Sequence, residues 1–265
     1  MHAFPVFAAA FVLSVSPALA QFQTTLQPAT VEEFSVYAKK IEQNLESRWD
    51  GKRAFLSIDE TPSDKKKVLD GEMLIRPGSP QNPVSISRGL IHDWRGDVFI
   101  PHTSMEKVLA VSQDFNRHHE IYPEIIQSKL IRRDGNDLTG YWRLKQTNPL
   151  LPVALDVLQE AHYKQIGPGK WICRAYANEI SEIDNPGTSK EEKLPPGKGN
   201  GFLWRLYGYW SLQAVDGGVL AECRSLSLSR DIPFALAWAI KPLIQNVPRE
   251  SLESTLRNTR STAMK

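Results

Sequence analysis

The sequence predicts an α+β chain in which a long series of antiparallel strands is closed by an apolar C-terminal helix. Three observations predict it. Between Val84 and Ser229, apolar and polar residues alternate in segments separated by short Gly-containing turns, the pattern of consecutive hairpins. Phe234–Val247 (FALAWAIKPLIQNV) is apolar on nearly all sides, as in a helix buried within a fold. Ahead of both, Val31, Phe34, Ala38, Ile41 and Leu45 recur at helical spacing.

Residues 4–15 form an apolar run of twelve, matching the core of a secretory signal and falling short of the roughly 20 residues that span a bilayer. Ala18-Leu19-Ala20 supplies small residues for a peptidase, so cleavage after Ala20 and a periplasmic or secreted product are expected. No cysteine follows Ala20 to carry a lipid, and no later apolar run is long enough to make a transmembrane segment. Thr30 and Glu33 read as a capping box opening a helix over 31–49, with Gly51 as a stop. Residues 59–83, rich in Pro, Gly, Asp and Lys, read as a wrapping segment with one strand-like piece at 72–76. The expected divisions are a signal peptide (1–20), an N-terminal helix with the wrapping segment (21–83), and a main domain (84–265).

Val84, Ile86, Leu90, His92, Trp94, Val98 and Ile100 share one face of a period-2 pattern, read as one long strand that Gly89 and Gly96 allow to bulge or bend. Thr103-Ser104-Met105-Glu106 is a second capping box, opening a helix through Phe115 that a short helical turn over 117–122 follows. Strands are then expected over 125–133, 138–146, 153–166, 171–183, 202–215 and 219–229. Their turns are Asp134-Gly135-Asn136, Gly167-Pro168-Gly169 and Asp216-Gly217-Gly218. The polar loop 184–201 is flexible by composition, and loops of that length often cover a functional opening. At the end of the chain, Asp231 and Pro233 suit a helix start, while Pro242 and Pro248 should kink or restart the helix.

Charge is nearly balanced, 32 basic against 30 acidic residues, without the excess that marks a nucleic-acid binder. Two cysteines, Cys173 and Cys223, are too few for a disulfide scaffold or a cysteine-rich zinc site. Neither Gly-x-Ser-x-Gly nor Gly-x-Gly-x-x-Gly occurs, and no cofactor is implied. His118 and His119 are adjacent, so on a helix they point about 100° apart and do not share one metal ion.

The order of strand, two short helices, a meander and a long final helix resembles the START-like superfamily, also called helix-grip, SRPBCC or polyketide-cyclase-like proteins. Local matches are VLAVSQDFNRHHEIYP at 108–123, the strand end Gly217–Glu222, and Pro248–Leu252 running on to Leu256. The resemblance implies a helix-grip fold: a curved antiparallel sheet of about seven strands round the final helix, with a cavity between them and the N-terminal helix as an addition. It implies as ligand a lipid or other hydrophobic small molecule, carried without chemistry. A minority of members catalyse cyclisation or dehydration, with His92 or an inward carboxylate as general acid/base being the version open to this chain. In that strand order the strand from Phe202 separates Cys173 from Cys223 by about 9.6 Å, beyond disulfide reach, so both thiols are expected free and buried.

Trp94, Trp142, Leu144, Trp204, Leu206 and Trp210 fall on the apolar stripes of three strands, and Trp238 lies on the final helix. They are candidates for an aromatic-lined pocket, with ordinary core as the competing reading. His92, alone among apolar neighbours, is a candidate for fixing a polar head or carrying a proton. Arg143 is a candidate for a carboxylate or phosphate head group, against a cross-strand ion pair on the outer face. Tyr207 and Tyr209 on the opposite stripe leave the inward face open, and both faces are covered if helix 31–49 packs on the outer one.

Overall fold

The computed structural model describes residues 23–146, 153–231 and 237–265, and the side chains of 146 and 237–245 lie outside that description. The signal expected over 1–20 and the helix start at 231–236 therefore lie outside the described residues, except Asp231. The chain runs β1 (Thr24–Thr25), α1 (Pro28–Trp49), a 3-10 turn (Ser57–Glu60), α2 (Pro62–Leu69), β2 (Leu74–Pro77), β3 (Val84–Ile86) and β4 (Gly89–Pro101). Next come α3 (Met105–Gln113), α4 (His118–Ile121), β5 (Ile125–Asp134), β6 (Asp137–Gln146), β7 (Val153–Gly167) and β8 (Lys170–Asp184). Last are β9 (Glu192–Lys193), β10 (Lys198–Gly199), β11 (Arg205–Val215), β12 (Gly218–Arg230) and α5 (Ala237–Ala263).

The main sheet is antiparallel in the order β2-β4-β12-β11-β8-β7-β6-β5, with β3 also on β4 and β9 on β8, ten strands against the seven expected. The three glycine turns hold, with Gly135, Gly169 and Gly217 at φ +57°, +63° and +80°, where a side chain would be strained. The long strand from Val84 does not. Ser87-Arg88 turns it into a hairpin, and Val84 lies opposite Ile91 on the outer face. Gly96 marks a close approach, since a Cβ there would lie 2.3 Å from Leu256 Cδ1 of α5. Helix α5 runs past Pro242 and Pro248 as one helix, so the restart expected there does not occur.

Both faces of the sheet are covered. On the inner face, Val98 of β4, Leu138 of β6 and Cys223 of β12 share one core with Leu252 and Leu256 of α5, so the sheet bends round the helix. On the outer face α1 buries Phe34, Ala38, Leu45 and Trp49 against Tyr209, Leu220 and Leu226. Its polar atoms are matched too. Tyr176 and Tyr209 donate to Glu42 at 2.8 and 2.9 Å, and Trp49 Nε1 donates to Ser211 at 2.9 Å. Tyr37 donates at 2.7 Å to Asp93, which is fully buried and held by Arg224 at 2.6 Å.

The first capping box is not used as such. Pro28 starts α1 earlier, so Thr30 donates to the Ser87 carbonyl and Glu33 accepts from Ser87, tying the helix to the β3–β4 turn. In the second, Ser104 caps α3 while Thr103 donates to the Ala263 carbonyl of α5, and α3 ends at Gln113 rather than Phe115. The loop 184–201 folds back through β9 and β10. Glu182 accepts from the backbone amides of Asn200 and Phe202 at 2.6 and 2.9 Å, anchoring its far end. Among the described residues no helix is long and apolar enough to cross a membrane.

Candidate functional site

A hollow of about 160 Å³ lies between the inner face of the sheet and helices α3, α4 and α5. Its floor is hollow because Ala161 of β7, Ala175 of β8 and Gly208 of β11 are small, beside Tyr163 on β7 and Leu206 and Trp210 on β11. A Cβ built on Gly208 would meet nothing closer than Ala175 Cβ at 3.8 Å and Trp210 Nε1 at 3.9 Å. Trp142 and Trp210 stand on either side of this floor.

One wall is an aromatic cluster. Trp142 stacks on Phe115 with ring centroids 5.6 Å apart and 16° between planes, and its Nε1 donates at 3.0 Å to His118 Nδ1. Indole only donates, so Nδ1 accepts and the His118 proton sits on Nε2. Burial holds the His118 pKa down at about 4, outweighing the nearby carbonyls of Val111 and Ser112. Tyr122 shares a 3.0 Å hydrogen bond with Thr259 of α5, and burial pushes its phenol up to about 12. Tyr163 donates to the Ser112 carbonyl at 3.0 Å, and burial holds its pKa well above 10. Cys173 is pushed up to about 12 and Cys223 well above its ordinary value, both mainly by burial. Near pH 7 these five groups are all neutral. Among the described residues that line the hollow, Glu124 is the one carboxylate and there is no Lys or Arg.

Four of the nine candidate residues line the hollow: Trp142, Leu144, Leu206 and Trp210. Trp94 faces the inner core beside α5 but does not line it. His92 is 2% exposed, with Nε2 3.1 Å from Ser229 Oγ, and is likewise outside the lining. Burial holds the His92 pKa down at about 4, so the ring is neutral near pH 7. Arg143 points to the other face, 2.8 Å from Asp156 and 2.8 Å from Glu191, so it cannot hold a head group in the hollow. Trp204 precedes β11, where strand alternation has not begun, and packs in the outer core with α1. The side chain of Trp238 lies outside the described residues.

Cys173 and Cys223 both lie opposite Trp210, on the strands flanking β11, and are free and buried. His118 turns inward while His119 turns out to Ser128 at 2.9 Å. Sequence reasoning missed the small floor residues and Gln159. The available signal was Gly208, a gap in the otherwise bulky stripe Leu206, Trp210, Leu212.

Neither a protein-family model nor a curated protein sequence matches the chain. Solved structures do. A STAR-related lipid transfer protein fragment from Xanthomonas axonopodis is 18% identical with a TM-score of 0.45, over 69% of this chain and 97% of that one. Human STARD10 is 10% identical with a TM-score of 0.44, over 79% of this chain and 80% of that one. The ZhuI aromatase/cyclase from Streptomyces sp. R1128 is 9% identical with a TM-score of 0.37, over 66% of this chain and 89% of that one. The strand order, the bent inner face and the final helix lying on it make a helix-grip fold, an antiparallel sheet wrapped round its C-terminal helix.

Proposed function

We propose that this protein binds and carries a small hydrophobic molecule in the hollow between its sheet and α5, without transforming it. The observation that carries this reading is the floor of Ala161, Ala175 and Gly208 between two tryptophans, an apolar recess built by leaving side chains out. A volume of about 160 Å³ matches one ring, since a cavity of about 150 Å³ takes up benzene. Acid–base chemistry needs two titratable groups converging on a substrate. Here Trp142 occupies His118 Nδ1, Tyr122 is bonded to Thr259 and Tyr163 to the Ser112 carbonyl, which favours a carrier over a cyclase or dehydratase.

We further propose that the chain acts outside the cytoplasm after cleavage behind Ala20, supported by the apolar run at 4–15. Protein purified from its own host and examined by native mass spectrometry tests both proposals. A mass beginning at Gln21 with an apolar adduct lost on denaturation is expected. An intact Met1 chain contradicts export; a protein free of adduct that takes up no toluene contradicts carriage.

A further inference from the structure

Gln159 is unexplained by the packing round it. It lies on β7 opposite Gly140 of β6, on the inner face where a Cβ at Gly140 would strike Phe115. Toward β8 the register shifts: Leu158 pairs with Glu179 and Glu160 with Tyr176, so Ala177 and Asn178 together face Gln159. The extra residue belongs to β8, and Gln159 keeps the inward stripe of Val157, Ala161 and Tyr163 on β7. Gln159 is 7% exposed and lines the hollow, yet its amide makes no hydrogen bond among the described residues. Gln159 borders the recess, and an amide without a protein partner is free to bond a ligand that bears a matching group.

We infer that Gln159 selects the ligand: the hollow takes an uncharged, ring-sized molecule carrying a hydroxyl or carbonyl group, which hydrogen-bonds the Gln159 amide while the ring rests on Ala161, Ala175 and Gly208. The inference deepens the carrier reading and rests on it. An anionic head group is disfavoured because, among the described residues, Glu124 lines the hollow and no Lys or Arg does. Bulky two-chain lipids are disfavoured by volume. An amide both donates and accepts, so a phenol hydroxyl is a sufficient partner.

The test measures phenol, benzene and benzoate binding by calorimetry at pH 7, on the full protein and on Gln159→Met, a near-isosteric change without hydrogen-bonding capacity. The expected result is phenol bound at least as tightly as benzene by the wild type, and benzoate bound at least tenfold more weakly. In Gln159→Met the phenol-to-benzene affinity ratio should fall about tenfold, from loss of one hydrogen bond and an unpartnered hydroxyl, with benzene affinity held within twofold. An unchanged ratio overturns the inference while leaving the carrier reading intact. Should Gln159→Met not fold, benzene bound more tightly than phenol by the wild type overturns it equally. Failure of the wild type to bind either ring defeats both.

Discussion

Two inward-facing glycines should respond to added side chains with opposite signs. At Gly208 a Cβ meets only ordinary contacts at 3.8 Å and beyond, and the 160 Å³ in front of it accepts a ring. Gly208→Phe places that ring covalently. Burying a phenyl group contributes about 1.5–3 kcal/mol. Ordering the side chain removes about 0.5–1 kcal/mol. The net is a gain of about 1–2 kcal/mol, or about 2–8 °C in Tm for a domain of this size.

Gly140 is the control. A Cβ there would sit 1.8 Å from Phe115 Cδ1, and Phe115 is 1% exposed and stacked on Trp142. Overpacking makes Gly140→Ala destabilising by about 1–3 kcal/mol, although alanine is the smaller addition. Urea unfolding of the three proteins gives both values, and toluene binding should vanish in Gly208→Phe. Should Gly208→Phe lose as much stability as Gly140→Ala, or keep its affinity for toluene, the recess does not exist as described.

Two further predictions concern the additions round the sheet. Asp97 lies opposite Glu222 on the outer face, 1% and 3% exposed, where Ser57 donates to Glu222 and the guanidinium groups of Arg76 and Arg95 come to 3.3 and 3.7 Å of Asp97. Burial, then Glu222, pushes the Asp97 pKa up to about 7. A carboxyl raised on folding is more protonated in the native state, so its contribution is complete below about pH 4 and lost as pH rises through about 7. Asp97→Asn should flatten the fall in stability across that interval, and an unaltered slope in pH-dependent urea unfolding would refute the assignment. At the other end of the sheet, Glu182→Gln keeps an acceptor oxygen for only one of the amides of Asn200 and Phe202 and turns an N–H group toward the other. Hydrogen exchange at the amide left without an acceptor should accelerate about tenfold or more, since an unpartnered buried donor costs about 1–3 kcal/mol; unchanged protection at both amides would show that the loop is anchored elsewhere.

Much of the architecture was legible because it rests on local chemistry. Turns at Gly135, Gly169 and Gly217 require the left-handed backbone that glycine provides, and the sequence marks them. The β3–β4 turn was only half legible: Gly89 marked a possible bend, but the left-handed residue is Arg88, at φ +53°, a type that does not announce a tight turn. Tertiary demand likewise took Thr30 and Glu33 from a capping role and gave them to Ser87. At the site, alternation served within strands and failed beyond them. Trp142, Leu144, Leu206 and Trp210 sit mid-strand and line the hollow, whereas Trp204 lies one residue before β11 and joins the other core. The recess itself is made by small residues, and a search for chemistry-bearing side chains passes over Ala161, Ala175 and Gly208. Gln159 shares the inward stripe of Val157, Ala161 and Tyr163, so alternation places it, but a lone amide in a strand carries no motif to single it out.

The most direct measurement is a crystal soaked with 4-bromophenol, located through the anomalous signal of bromine. A bromine peak between Gly208 and Trp142, with the phenol oxygen within hydrogen-bonding distance of the Gln159 amide, is the result expected. Bromine found only on the outer surface, or a recess still empty at saturating ligand, would contradict the account.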